Sequence, residues 1–166
     1  ALAAQCAGRG IALIAAPVSG GAPAAAAGAL TVMCGGTQAA FEAAKPVFEC
    51  FGKLIVRLGD VGAGQRAKLV NNALMAANMG LAHAALGAAT ALGIEREALV
   101  ELIKHSSGRS FGFEVYARLS APADFSHGAA LLVKDVNLLK RVLPEEQGAE
   151  PLRAAASNFL AAATGG

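Results

Sequence analysis

Gly62-Ala63-Gly64-Gln65-Arg66-Ala67-Lys68-Leu69-Val70-Asn71-Asn72 is the stretch on which the reading of this chain turns. The 26 residues from Leu69 to Ile94 contain no Asp, Glu, Lys or Arg. Lys68 therefore stands where a helix leaves solvent and enters apolar surroundings. A lysine at such a boundary sheds part of its hydration, which suits it to acid/base work. On a helix, Asn71 and Asn72 fall three and four residues later, on the same face. An amide there can both donate to and accept from the group the lysine acts on. Taken alone, this pattern fits either a catalytic constellation or a solvated surface lysine beside helix-bridging amides.

The uncharged segment predicts one helix from about Gln65 to Leu92, roughly 40 Å long at 1.5 Å per residue, closed by Gly93. Its length would suffice for a membrane span. Asn71, Asn72, Asn78, His83, Thr90, Gly80 and Gly87 interrupt it, and no aromatic belt flanks it. The reading is instead the central helix of a bundle, apolar on all sides because it is surrounded, with no membrane partner.

Outward from that helix the pattern changes. Upstream, the continuous apolar run Ile11–Ala15 predicts a buried parallel strand, and Leu30–Cys34 and Lys53–Leu58 predict a second and a third strand of the βα type. Pro17-Val18-Ser19-Gly20-Gly21 forms a loop after the first, and Gly35-Gly36 stops the second. Thr37 caps a helix through about Phe51, which Pro46 kinks or divides. Residues 1–8 read as a helix tail. Downstream the chain is helical: Glu95–His105, a short helix from the Ser106–Ser110 turn toward Leu119, then Ala129–Leu143 and Pro151–Ala162, with a loop over Ala121–Ser126. The fold class is thus mixed α/β and all-α, with strands over residues 1–59 and a helical bundle over 60–166.

Composition narrows the function. The 166 residues are 55% hydrophobic and 16% charged, with mean hydropathy +0.49, which excludes disorder. The abundance of Ala and Gly favours closely packed helices. A net charge of +2 with no basic stripe gives nucleic-acid binding no support. Cys6, Cys34 and Cys50 lack a CxxC and read as free thiols of a reducing, cytoplasmic setting. His83, His105 and His127 are too scattered for a metal site; His83 reads as a hydrogen-bonded core residue. Met75 and Met79 continue the Lys68 face and read as packing.

Four segments in order resemble the β-hydroxyacid dehydrogenases, the family containing 3-hydroxyisobutyrate dehydrogenase and tartronate semialdehyde reductase. They are Ala16-Pro17-Val18-Ser19-Gly20-Gly21, Gly62 through Asn72, Ser106-Ser107-Gly108-Arg109-Ser110, and Lys134-Asp135. One departure is Ala15, where the family commonly has Asp. The resemblance implies a Rossmann-type domain carrying NAD or NADP, followed by an all-helical domain of the 6-phosphogluconate dehydrogenase-like kind. It implies that Lys68 is the general acid/base and that Asn72 holds the substrate. Ser19, Gly20 and Gly21 would receive the substrate carboxylate, and Lys134 would close the site near the nicotinamide. Ser107 and Arg109 shape their turn. The implied activity is an NAD(P)-dependent 3-hydroxyacid dehydrogenase or semialdehyde reductase, in a homodimer or homotetramer.

The dinucleotide fingerprint GxGxxG is absent, and neither Gly20-Gly21 nor Gly35-Gly36 fits it. Residues 1–59 are therefore expected to be the C-terminal remnant of a cofactor domain in a fragment of a longer protein. Residues 60–166 are expected to form a substrate and dimerisation domain. The alternative is a non-catalytic helical dimerisation module. The purified 166-residue chain is expected to show no NAD(P)-linked turnover, and measurable absorbance change at the nicotinamide band would refute this.

Overall fold

The computed structural model describes residues 2–143 and 149–165. It divides into two compact units, Ala1–Lys68 and Leu69–Gly166. The division falls inside the long helix, further along the chain than the Gly59–Gly62 turn.

In the first unit, α1 (Leu2–Ala7) precedes β1 (Val18–Ser19), α2 (Gly21–Ala26), β2 (Leu30–Cys34), α3 (Gln38–Glu49) and β3 (Gly52–Arg57). The sheet order is β1-β2-β3. β2 is central because nearly all of it is apolar: Val32 and Cys34 are wholly buried, with Phe41 of α3 packed beside them. β3 runs parallel to β2, reached through α3. Thr37 caps α3 by accepting from the Ala40 amide at 3.2 Å.

Two expectations need correction. The first strand lies not at Ile11–Ala15 but in the segment read as a loop, and it runs antiparallel to β2. Ala15 pairs with Gly35 as an isolated antiparallel bridge, and the Pro17 carbonyl accepts from the Met33 amide at 2.8 Å. These contacts share one register with Val18↔Val32 and Ser19↔Thr31. The extended run thus reaches from Ala15 to Ser19, broken where Pro17 has no N–H to give. The second correction concerns α3, which continues through Pro46 undivided.

A 3-10 turn at Pro122–Phe125 falls where loop was expected, and α2 lies in a stretch to which the sequence reading gave no element. Gly20 and Gly21 adopt φ 133° and 66°, a conformation that strongly favours glycine, and so turn the chain from β1 into α2.

The second unit is helical: α4 (Ala63–Ala91) continues into it, followed by α5 (Arg96–Lys104), α6 (Phe111–Tyr116), the 3-10 turn, α7 (Ser126–Val142) and α8 (Glu150–Thr164). Its core gathers Leu69, Ala73, Ala76, Met79, Ala82 and Leu86 of α4 with Phe113, Tyr116, Val136, Leu139, Phe159 and Leu160. Small residues set the approach distances. A Cβ on Gly112 would lie 2.6 Å from the Asn78 Cβ, and one on Gly80 3.0 Å from the Phe159 Cβ. Each large apolar side chain buried here contributes about 1.5–3 kcal/mol. Among the described residues, no helix is long and apolar enough to cross a membrane.

The three cysteines are free, with Cys34 buried, Cys6 intermediate and Cys50 exposed. Burial pushes the Cys34 thiol above its ordinary range, so less thiolate, the reactive form, exists at a given pH. With Ellman's reagent at pH 8, Cys50 is expected to react first, Cys6 more slowly, and Cys34 only after denaturant is added. Prompt reaction of all three in the native protein would contradict the burial.

Candidate functional site

The site is assembled around the start of α4. A Cβ on Gly64 would lie 2.0 Å from the Met33 carbonyl oxygen, and one on Gly35 2.7 Å from the Asp60 carbonyl oxygen. Two glycines therefore let the first turn of α4 rest directly on backbone at the carboxyl end of β2. One helical turn past Gly64, Lys68 is half-buried, and its Nζ donates to the Val18 carbonyl at 3.1 Å.

The strand geometry explains why that carbonyl is available. Pro17 turns its carbonyl toward β2, and backbone groups alternate in direction along an antiparallel strand. The Val18 carbonyl consequently faces away from the sheet, along the open edge of β1. Lys68 is thereby held against the residue that precedes Ser19. The Ser19 side chain is half-buried, and Gly20 and Gly21 are exposed. Lys68 and the Ser19–Gly21 turn thus belong to one unit, with Lys68 bonded to the residue that precedes the turn.

Asn72 lies one turn beyond Lys68 on α4 and is half-buried. Its Nδ2 donates to Asp135 Oδ2 on α7 at 2.6 Å, and its Oδ1 accepts from Asn71 Nδ2 at 3.3 Å. Asp135 entered the sequence reading only within the Lys134-Asp135 segment, and its partner on α4 was not foreseen. Lys134 is exposed.

The other candidates have structural partners. Arg109 Nε donates to Glu114 Oε1 at 2.7 Å. Ser110 caps α6 by accepting from the Phe113 amide at 3.0 Å, and Ser107 is exposed. His83 shares a 2.7 Å hydrogen bond with the Tyr116 hydroxyl, but its ring sits at the exposed margin of the bundle and not in the core. Burial of Tyr116 pushes its hydroxyl up; Arg96 opposes this and Asp124 reinforces it. Met79 is fully buried and Met75 packs against the same core. Among the described residues, no group of three His, Cys, Asp or Glu could hold a metal ion.

One looser form of the dinucleotide fingerprint, GxGxxA, is met by Gly62 to Ala67 between β3 and α4. The space above Gly64 is already filled by the Met33 carbonyl. These glycines seat a helix and do not cradle a pyrophosphate.

A small sheet whose edge carries an anchored lysine, joined in sequence to an all-helical unit, defines a class of two-part α/β proteins, and comparison with known proteins agrees. Residues 62–166 match the profile described as the NAD-binding part of NADP-dependent 3-hydroxyisobutyrate dehydrogenase. Residues 1–59 match that of the NAD binding domain of 6-phosphogluconate dehydrogenase. The chain belongs to the β-hydroxyacid dehydrogenase family, whose cofactor is NAD or NADP.

It is 43% identical over 155 residues to the NAD-dependent L-serine dehydrogenase of Pseudomonas aeruginosa, covering 87% of this chain and 51% of that protein. It is 39% identical over 153 residues to the mitochondrial 3-hydroxyisobutyrate dehydrogenase of Drosophila melanogaster, covering 87% and 47%. Among solved structures, the Mycobacterium tuberculosis 3-hydroxyisobutyrate dehydrogenase with L-serine superimposes with TM-score 0.80 at 30% identity, covering 94% of this chain and 57% of that one. The chain spans about half the length of the curated relatives it matches.

If Gly64 seats α4, Gly64→Ala should destabilise the first unit by about 1–3 kcal/mol, the usual cost of overpacking. Thermal melts would register this. An unchanged melting temperature would show that the helix can shift at no cost.

Proposed function

We propose that the protein containing this chain is an NAD(P)-dependent oxidoreductase of a small 3-hydroxy acid or its semialdehyde, with Lys68 as general acid/base. The observation that carries this reading is the anchoring of Lys68 Nζ on Val18, immediately before the Ser19–Gly21 turn. An ammonium has three donors. One is spent on the Val18 carbonyl, which fixes the direction of the group and leaves two for a substrate oxygen.

In the oxidative direction, Lys68 as the neutral amine takes the hydroxyl proton and becomes the ammonium as the carbinol carbon loses its hydride; in the reductive direction the ammonium returns that proton to the carbonyl oxygen. NAD(P), when bound, supplies the hydride acceptor or donor. The backbone N–H groups of the exposed Gly20 and Gly21, with the Ser19 hydroxyl beside them, receive the substrate carboxylate, and the Asn72 amide orients the reacting oxygen. Lys134, an exposed cation on α7, suits the nicotinamide side of the site. Gly64 is occupied as a helix seat.

On this reading residues 1–59 are the end of the cofactor domain and 60–166 the substrate and dimerisation domain. The names of the relatives support L-serine and 3-hydroxyisobutyrate as first substrates to assay.

In the full-length protein, Lys68→Ala should reduce turnover of these substrates at least about 100-fold, the lower range for loss of a general acid/base. NAD(P) affinity, followed by nicotinamide fluorescence, should stay within about twofold. Activity surviving within a factor of about ten would sink the assignment.

A further inference from the structure

Asn72 and Asp135 lie 63 residues apart in sequence yet are joined by a 2.6 Å hydrogen bond. Both border buried stripes. Asn72 sits beside Leu69, Ala73 and Ala76 of α4, and Asp135 beside Val136 and Leu139 of α7, all core residues. The bond therefore lies at the rim of the apolar core, partly sheltered from competing water, where a charge-assisted contact is strong.

Its chemistry is directional. An amide offers an N–H₂ end and a carbonyl end of nearly equal shape, and either could face a neighbour. An ionised carboxylate can only accept, so Asp135 selects the N–H₂ end. The Asn72 carbonyl must then point the other way, where it takes the weaker 3.3 Å contact from Asn71.

We propose that Asp135 is a positioning residue for the dehydrogenase reaction: it sets which end of the Asn72 amide is presented to the substrate. This rests on the assignment of Asn72 to substrate made above. One N–H of Asn72 is held by Asp135. The other N–H is left to donate to the reacting oxygen, hydroxyl or carbonyl alike, so the hydroxyl proton remains for Lys68. Without the carboxylate the amide rotates between two orientations, and only one is productive. The damage should fall on the reacting complex more than on ground-state binding.

The test is a double-mutant cycle in the full-length protein with NAD(P) and either L-serine or 3-hydroxyisobutyrate. Asp135→Ala should lower kcat about tenfold with KM changed less than about twofold, since orientation and not binding is lost. Asp135→Glu, which keeps an acceptor-only carboxylate, should recover part of that loss, whereas Asp135→Asn, whose amide can turn either end toward Asn72, should recover less. In an Asn72→Ala background, Asp135→Ala should cost nothing further, because the two act as one unit. Multiplying losses in the double variant, or full recovery by Asp135→Asn, would overturn the proposal while leaving Asn72 in place. If Asn72→Ala itself leaves kcat unchanged, the reading of Asn72 falls and this proposal with it. A readout independent of turnover is the ¹H–¹⁵N resonance pair of the Asn72 side-chain amide. It should separate widely in the native protein and collapse toward the unbonded position in Asp135→Ala. An amide signal indifferent to that substitution would also overturn it.

Discussion

Everything placed at the site depends on how closely one helix can approach one strand. The first turn of α4 rests on the backbone at the end of β2 with no side chain between them, Gly64 over the Met33 carbonyl. A helix held off by even one methyl group would carry the Lys68 amine away from Val18. The spacing between Gly64 and Lys68, one turn, converts a packing constraint into the location of a functional group. The composition had pointed this way, since abundant Ala and Gly permit short interhelical and helix–strand distances. Gly80 and Gly112 apply the same economy in the second unit.

Much of the fold could be read from residue patterns. Continuous apolar runs located β2 and β3, and the uncharged segment located α4 to within two residues at its start. The shift of the first strand from Ile11–Ala15 to Val18–Ser19 has a physical cause. The apolar run implied burial, yet Ile11 is 55% exposed, and within Ile11–Ala15 only Ala15 pairs with the sheet, through its bridge to Gly35. Pro17 splits the pairing and hides the strand in what resembles a turn. α2 escaped notice because Gly-Ala-Pro-Ala-Ala-Ala carries no periodicity, only small residues. Pro46 misled in the opposite direction: proline's local cost did not divide α3, whose Ala40 and Phe41 are fixed in the core by tertiary packing.

Within the site, legibility followed sequence distance. Lys68, Asn71 and Asn72 share one helix, so their common face could be deduced from helical spacing alone. The Val18 carbonyl could not, because backbone acceptors leave no mark on composition. Asp135 was visible as a residue but not as a partner. Its proposed role depends on a hydrogen bond between α7 and α4, 63 residues apart in sequence, which is a fact of tertiary structure.

The hydrogen bond between Lys68 and Val18 has a consequence unrelated to chemistry on a substrate. β1 is a terminal strand, and such strands offer unpaired backbone groups on which other chains can polymerise. Here the outward acceptor is covered by a cationic side chain, and a proline sits beside it. The same amine that is proposed to move protons thus also occupies an outward backbone acceptor on which another strand could pair.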